Sequence, residues 1–379
     1  MDVDVFRVSL ALFAVLVGNR IFHFFTSFKR VASLPGERPP FQPFGLPGAL
    51  LPTTWWNLGA DMHWINRKSL YKHSETVSIV PWLIGPPSIW CSNLDVARQV
   101  ASGGHKSCWI KPEEASQALL LWGMNLVASE GETWRKHRRV MGPAFNSKLY
   151  KLVWESSVKT YKDMLATEGW EGKKAGEQME VKSIQDLTFK FALLLIGKCG
   201  FGFNFTWADP PQSSTRMPVQ EAIRTVADTY MLFVFAPRWV KWLPFEKFRH
   251  ARQAYSELEG FMRDQVAQRR AAYQDNKSSS ESESSDAFSL LVQANEDSES
   301  KYKLDDKELT GNVFVMLFAG HETTAHTLAA TLGFLAVYDE IQEEVGKEIR
   351  EVIGDREPEF EDYSKLVKTA ACFFEALRM

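Results

Sequence analysis

The chain has 379 residues, 45% of them hydrophobic and 24% charged, an ordinary globular composition that excludes a disordered protein and suffices for one large core or two smaller ones. A formal net charge of -3 gives no general attraction to nucleic acid, for which a strongly basic domain would be needed. The four cysteines, Cys91, Cys108, Cys199 and Cys372, lie far apart without a Cys-x-x-Cys pair, so neither a zinc site nor a disulfide framework is expected.

Val8 to Gly18 is nearly continuously apolar, and a second patch, Ile21 to Phe25, follows across Asn19 and Arg20. The stretch is long enough to cross a bilayer, although Arg7, Asn19, Arg20 and His23 interrupt the roughly 20 clean apolar residues of a good spanning helix. A spanning helix, a shallow or tilted anchor and a buried amino-terminal helix are the open readings. No Ala-x-Ala-like cleavage site follows, which favours an uncleaved signal anchor over residues 1–30. Lys29 and Arg30 after it favour a body on the cytoplasmic side. Residues 31–52 hold Pro35, Pro39, Pro40, Pro43, Pro47 and Pro52 and read as a stiff, extended hinge in which no helix continues. Residues 53–379 are expected to form one domain.

Thr76 to Trp90 combines Val77, Ile79, Val80, Trp82, Ile84 and Ile89 with Gly85, Pro86 and Pro87 in the middle, the pattern of two short strands around a turn. From Leu94 onward helical spacing dominates, interrupted at Gly103-Gly104, Gly142-Pro143 and Trp207 to Pro218. The fold class is therefore mainly α with a small β-sheet. In Gly131 to Arg139 (GETWRKHRR), Trp134 and Arg138 are four apart and share one helical face. A guanidinium forms paired hydrogen bonds with a carboxylate and an indole N–H adds another donor, so the two can grip one anion. The same stretch also reads as a solvated basic helix, from which Arg135, Lys136 and Arg139 face an acidic partner. Trp239, Trp242, Leu243 and Phe245 beside Arg238 and Lys241 suit either plain burial or a membrane interface. Ser278 to Asp286 (SSSESESSD) is too polar to bury surface and reads as a solvated loop.

Asp305 to Glu308 is an acidic helix start, and the apolar run after it reaches about Tyr338 without a proline. At 100° per residue Val313, Met316, Leu317, Thr323, Thr324 and Thr327 fall within about 60° of Gly320. A mid-helix glycine costs roughly 1 kcal/mol relative to alanine. Gly320 therefore indicates either a bulky group lying against the backbone or a tight helix crossing. His321 and His326 invite comparison with the His-Glu-x-x-His of zinc proteases, but they are five apart and diverge by about 140°, which does not suit one metal. Near the end, Glu375 and Arg378 are three apart, a spacing that any surface ion pair could show.

Ala319-Gly320-His321-Glu322-Thr323-Thr324 resembles the oxygen-binding helix of cytochromes P-450, haem-thiolate monooxygenases, at all six positions. The family's Trp-x-x-x-Arg motif resembles Trp134 and Arg138, running here into Pro143-Ala144-Phe145. Its Glu-x-x-Arg motif resembles Glu375 and Arg378, in the family's order. Lys198 to Phe205 and Phe288 to Asn295 look like lesser family features. The resemblance implies a P-450 fold binding haem b (iron protoporphyrin IX), with Ala319 and Gly320 making room over the haem. Thr323 would assist proton delivery and Glu322, about 160° from Gly320, would supply protons through water. Trp134 and Arg138 would bind a propionate, and Glu375 and Arg378 would form a buried structural pair. Cys108 to Asn125 would overhang a substrate cavity, with core burial an equal explanation. It further implies an electron donor of the NADPH-cytochrome P-450 reductase type, an apolar small-molecule substrate, and an endoplasmic reticulum membrane location with the body in the cytosol.

The family's iron ligand is the cysteine of Phe-x-x-Gly-x-Arg-x-Cys, whose electron donation favours dioxygen cleavage. Cys199 has Ala192, Leu195 and Gly197 at the three preceding signature positions, and Cys372 has Ala370 where arginine belongs. No metal ligand is assigned, and a truncated chain lacking the haem-ligand region is expected. Two functions are therefore carried forward: a haem monooxygenase of which this is the larger part, and a non-catalytic membrane-anchored remnant.

Overall fold

The computed structural model describes residues 2–31, 34–102, 108–112, 119–173, 177–208, 217–235, 242–276, 286–296 and 302–379. Gly103-Gly104, Arg238, Trp239, Lys241, Ser278 to Ser285 and most of the Trp207 to Pro218 turn lie outside these residues. The chain divides into two compact units, 1–109 and 110–379. The boundary expected at residue 52 falls inside the first unit, because the proline-rich segment pairs with the strands that follow it.

The first unit begins with α1 (Asp2–Arg30). Its residues Phe6–Arg30 have a mean hydropathy of 1.7 and none is buried, so by length and composition this helix can cross a membrane. It is not a buried core helix. After it come β1 (Gly36–Glu37), the one-turn helices α2 (Leu46–Leu50), α3 (Met62–Ile65) and α4 (Arg67–Leu70), β2 (Thr76–Ile79), β3 (Ser88–Cys91) and α5 (Leu94–Ala101). The expected strands pair antiparallel in register, Val77 opposite Trp90 and Ser78 opposite Ile89. Gly85, between them, adopts φ +115°, a conformation that glycine takes without steric cost.

The hinge is more structured than its prolines suggested. Proline lacks the N–H but keeps its carbonyl, and these carbonyls accept from β2 and its continuation. Ser78 N–H donates to Pro35 O (2.8 Å) and Trp82 N–H to Pro39 O (3.1 Å). Arg38 reinforces the junction by donating to Ser78 O (3.0 Å) and Leu34 O (3.1 Å) while lying 5.0 Å above the Phe28 ring. A short helix, α2, forms where continuous extension was expected, with Pro47 in its first turn, a position where the missing N–H costs nothing.

The second unit contains α6 (Gly131–Met141), α7 (Ser147–Thr167), α8 (Ile184–Leu195), α9 (Val219–Phe235), α10 (Glu246–Asn276), α11 (Ala287–Glu296), α12 (Asp306–Val337), α13 (Asp339–Val352) and α14 (Val367–Arg378). α8 continues through a π-turn at Ile196–Gly200. α12 starts where its acidic residues predict, in a reciprocal cap: Glu308 N–H donates to Asp305 Oδ1 (2.8 Å) and Asp305 N–H to Glu308 Oε2 (2.9 Å), satisfying two donors that a bare helix end leaves open. Every residue from Leu309 to Leu317 is buried, in a core shared with α9, α10 and α11. Trp122 is part of that core, with ring centroids 4.6 Å from Phe314 and 5.5 Å from Tyr255. Core burial therefore accounts for the described residues 119–125.

Residues 119–126 can lie this close to α12 only because two glycines meet there. A β-carbon on Gly311 would stand 2.6 Å from Gly123 O and 2.8 Å from Met124 O, and one on Gly123 would stand 2.2 Å from Lys307 O. These obstacles are backbone, which cannot rotate away. Gly311→Ala is therefore expected to lower stability by about 1–3 kcal/mol despite alanine's better helix propensity. A urea midpoint equal to or above wild type would show the approach to be looser.

Candidate functional site

α6 is fastened to the first turns of α12. Lys136 Nζ donates to Glu308 Oε1 (2.5 Å), and Asn312 Nδ2 bonds His137 Nδ1 (2.7 Å). At 100° per residue, Glu308, Asn312, Ala319, Thr323, His326 and Ala330 all fall within a sector of about 60°. α6 thus covers this face of α12 at Glu308 and Asn312. From Ala319 onward, about 10 Å further along the axis, the same face is open: Ala319, Thr323, His326 and Ala330 are all exposed. α12 is thus buried on every side from Leu309 to Leu317 and then exposes a stripe that includes the small side chains of Ala319, Thr323 and Ala330. His326 is the large residue on the stripe, and its ring meets Phe189 edge-on at 4.9 Å.

Trp134 and Arg138 lie on α6 about 60° and 100° around the helix from His137. They are about 40° apart on α6, Trp134 half-buried and Arg138 exposed, and neither side chain has a hydrogen bond or ion pair to another described residue. Arg135 pairs with Glu132 (3.5 Å) and Lys136 with Glu308, leaving Arg139 as the exposed cation of the three assigned to partner attraction.

Gly320 is not at the centre of the open face. Its missing β-carbon would lie 2.8 Å from Ile196 Cδ1, so the glycine is used at the crossing of α12 with the end of α8. The face centred on it is largely packed, with Val313, Met316, Leu317 and Thr327 buried. The open stripe runs through Ala319 and Thr323. There the Thr323 hydroxyl donates to Ala319 O (2.5 Å) and Thr327 to Thr323 O (2.8 Å). A hydroxyl that donates back to its own helix keeps its lone pairs for a donor on the open side.

Glu322 lies about 40° around the helix from His326, at the border of the stripe on the side of Asp228 and Tyr230. Burial pushes its carboxyl above the usual range, with Asp228 adding to the rise and His326 opposing it, so it holds a proton more readily than an exposed glutamate. Its charge also helps burial raise the Tyr230 hydroxyl. His321 is 2% exposed with Nδ1 unpartnered, edge-on to Phe189 at 5.2 Å. Both histidines of the protease-like pattern therefore contact one phenylalanine ring, and among the described residues no group of three or more metal-ligating side chains forms.

The model of the cytochrome P-450 family matches residues 58–379. The chain belongs to that family. It is 35% identical over 274 residues to cytochrome P-450 monooxygenase 124 of Postia placenta, covering 71% of this chain and 51% of that protein. A cytochrome P-450 monooxygenase of the phomenoic acid biosynthesis cluster of Leptosphaeria maculans is 26% identical, covering 76% of this chain and 52% of its own. Cytochrome P-450 4B1 of Homo sapiens is 27% identical, with 75% and 55% covered. The chain spans about half the length of these curated relatives.

Other residues of this P-450 chain stand differently from the family expectation. Glu375 and Arg378 form a two-point ion pair at 2.7 and 2.5 Å, but their side chains are 56% and 67% exposed. The pair is a surface one because no described residue covers that side of α14. The second unit contains two of the four cysteines. Cys199 is buried, its thiol pushed up by burial and 3.8 Å from Leu152 O. Cys372 is likewise pushed up by burial, and Cys91 lies in β3. Sequence reasoning read Lys136 as a partner-facing cation and Glu308 as part of the helix start and did not assign His137 and Asn312, although an asparagine directly before the apolar run Val313 to Leu317 signals a tertiary partner.

Two outcomes follow for this helix. Gly320→Ala is expected to change stability by less than about 1 kcal/mol, since the gain in helix propensity offsets a contact with the mobile end of Ile196. A loss as large as that at Gly311 would mean Ile196 cannot move. Burial lowers the His321 pKa to about 4. Because the unfolded chain protonates this histidine near pH 6.5 and the folded one does not, its contribution is complete above about 6.5 and declines toward pH 4, on the order of 3 kcal/mol in all. His321→Phe should flatten the stability profile over that window. An unchanged profile would place the acid sensitivity elsewhere.

Proposed function

We propose that the chain is the larger part of a haem-dependent monooxygenase, an oxidoreductase that inserts one atom of dioxygen into an apolar organic substrate. Electrons come from a donor of the NADPH-cytochrome P-450 reductase type. α1 anchors it to the endoplasmic reticulum membrane with the body facing the cytosol, in line with its exposed apolar surface and the basic residues at its end. The observations that carry the reading are the exposed stripe of α12 beyond its junction with α6 and, on α6, Trp134 and Arg138, whose side chains have no hydrogen bond or ion pair to another described residue.

Bound haem b supplies the activation of dioxygen, chemistry that no side chain here can perform. Trp134 Nε1 and Arg138 would hold its propionates. Ala319 keeps the stripe shallow, and the Thr323 hydroxyl presents lone pairs over it, stabilising a hydrogen-bond donor there. Glu322, on the α9 side of the helix, takes up a proton more readily than an exposed glutamate and would exchange it through water. Removing either unpaired donor on α6 weakens propionate binding while leaving the fold intact, because neither side chain is used by another described residue.

The second reading, a non-catalytic remnant without stable haem, is favoured by the two cysteines of the second unit, Cys199, which is buried, and Cys372, whose thiol is pushed up by burial on α14. The two readings separate by spectroscopy of the chain incubated with haemin, reduced and exposed to carbon monoxide. No red-shifted thiolate-type Soret band is expected from this chain. Fusing a segment containing Phe-x-x-Gly-x-Arg-x-Cys after Met379 should produce that band, and Arg138→Ala in the fused protein should weaken haem retention about tenfold or more. A thiolate-type band from the unfused chain would overturn the cysteine assignment, and none from the fused protein would favour the remnant.

A further inference from the structure

The imidazole at the junction of α6 and α12 has no part in the function proposed above, yet its hydrogen bonds determine its chemical form. Leu126 N–H donates to Asn312 Oδ1 at 2.8 Å. A backbone amide can only donate, so the Asn312 oxygen is on that side and its Nδ2 on the other. Nδ2 in turn donates to Glu308 O (2.7 Å) and meets His137 Nδ1 at 2.7 Å. A ring nitrogen facing a donor at that distance must offer a lone pair, so Nδ1 carries no proton. The ring is fully buried, and its proton resides on Nε2, directed toward Glu308 Oε1 at 3.5 Å, a long approach.

The surroundings favour the same neutral form. Burial depresses the His137 pKa, Lys136 adds to the depression, and Glu308 with the Asn312 contact partly opposes it. The Glu308 carboxylate is already engaged by Lys136 Nζ and Asp305 N–H, so it is not free to draw a second charge. Residues 119–126 bring no charged side chain to the ring. The sole charged residue of α11, Glu296, is held by Arg270 Nε at 2.8 Å.

We propose that His137 is a positioning residue: as a neutral imidazole protonated on Nε2, it keys α6 to α12 and thereby fixes the direction in which Trp134 and Arg138 project. On α6 those residues lie about 60° and 100° around from His137. Any rotation of α6 that breaks the bond to Asn312 turns both away from their present direction. The lock stands on this geometry alone, and its consequence for propionate binding rests on the function proposed above.

The test uses the full chain in three measurements. In ¹⁵N-histidine NMR, the His137 signals should show a protonated Nε2 and a bare Nδ1 at neutral pH, and the ring should take up a second proton only at a lower pH than an exposed histidine does. Asn312→Asp, which replaces the donor with an acceptor, should convert the ring to the charged form near pH 7. Hydrogen exchange of α6 should accelerate about tenfold or more in His137→Phe, which loses a buried bond. It should accelerate clearly less in His137→Asn, whose amide keeps an acceptor near the Nδ1 position, with α8 unchanged in both. Haemin and its dimethyl ester serve as paired probes: wild type should prefer haemin, and His137→Phe should lose the preference while His137→Asn retains most of it. An Nδ1-protonated or charged His137 in wild type at neutral pH, or α6 exchange in His137→Phe equal to wild type, would overturn the lock. If wild type does not distinguish haemin from its ester, the anion role of Trp134 and Arg138 falls, while NMR and exchange still decide the lock.

Discussion

At Glu308 and Asn312 one face of α12 is covered by α6, and the rest of the candidate site is placed by that junction. The bonds from Lys136 and His137 determine where the cover stops, and so where the open stripe through Ala319, Thr323 and Ala330 begins. They also orient α6, on which Trp134 and Arg138 have no hydrogen bond or ion pair to another described residue. A junction of this kind is buried and polar, so each group must be satisfied or the whole loses stability. Here a single backbone donor, Leu126 N–H, sets the orientation of Asn312, which sets the tautomer of His137.

The two glycines of α12 show how close approach can serve different ends. At Gly311 the neighbour is backbone, and the glycine is what lets residues 119–126 lie across the helix and deliver Leu126 to Asn312. At Gly320 the neighbour is the tip of Ile196, and the glycine eases the crossing with α8. Neither opens the exposed face directly. That face is shallow because alanine and threonine occupy it, and because Thr323 and Thr327 fold their hydroxyls back onto the helix.

The elements that depend on local pattern were legible in the sequence. The acidic start and unbroken apolar run of α12 predict its bounds to within a residue or two, since capping and burial are both local in origin. The paired strands around Gly85 and the shared face of Trp134 and Arg138 follow equally from spacing. What the sequence did not reveal depends on partners distant along the chain. Proline carbonyls pairing with β2 cannot be inferred from a composition that only says extended. The direction of Gly320 depends on Ile196, more than a hundred residues away. The polar junction joins Lys136 and His137 to residues about 170 positions later, and the exposure of Glu375 and Arg378 depends on what lies against α14, which spacing cannot state.

The most direct measurement of whether the open stripe and α6 form one binding surface is hydrogen–deuterium exchange of the chain with and without zinc protoporphyrin IX, a flat dicarboxylate that needs no thiolate to associate. Protection confined to peptides spanning Gly131–Met141 and Ala319–Ala330 is expected. Protection elsewhere with these two segments unchanged would contradict it.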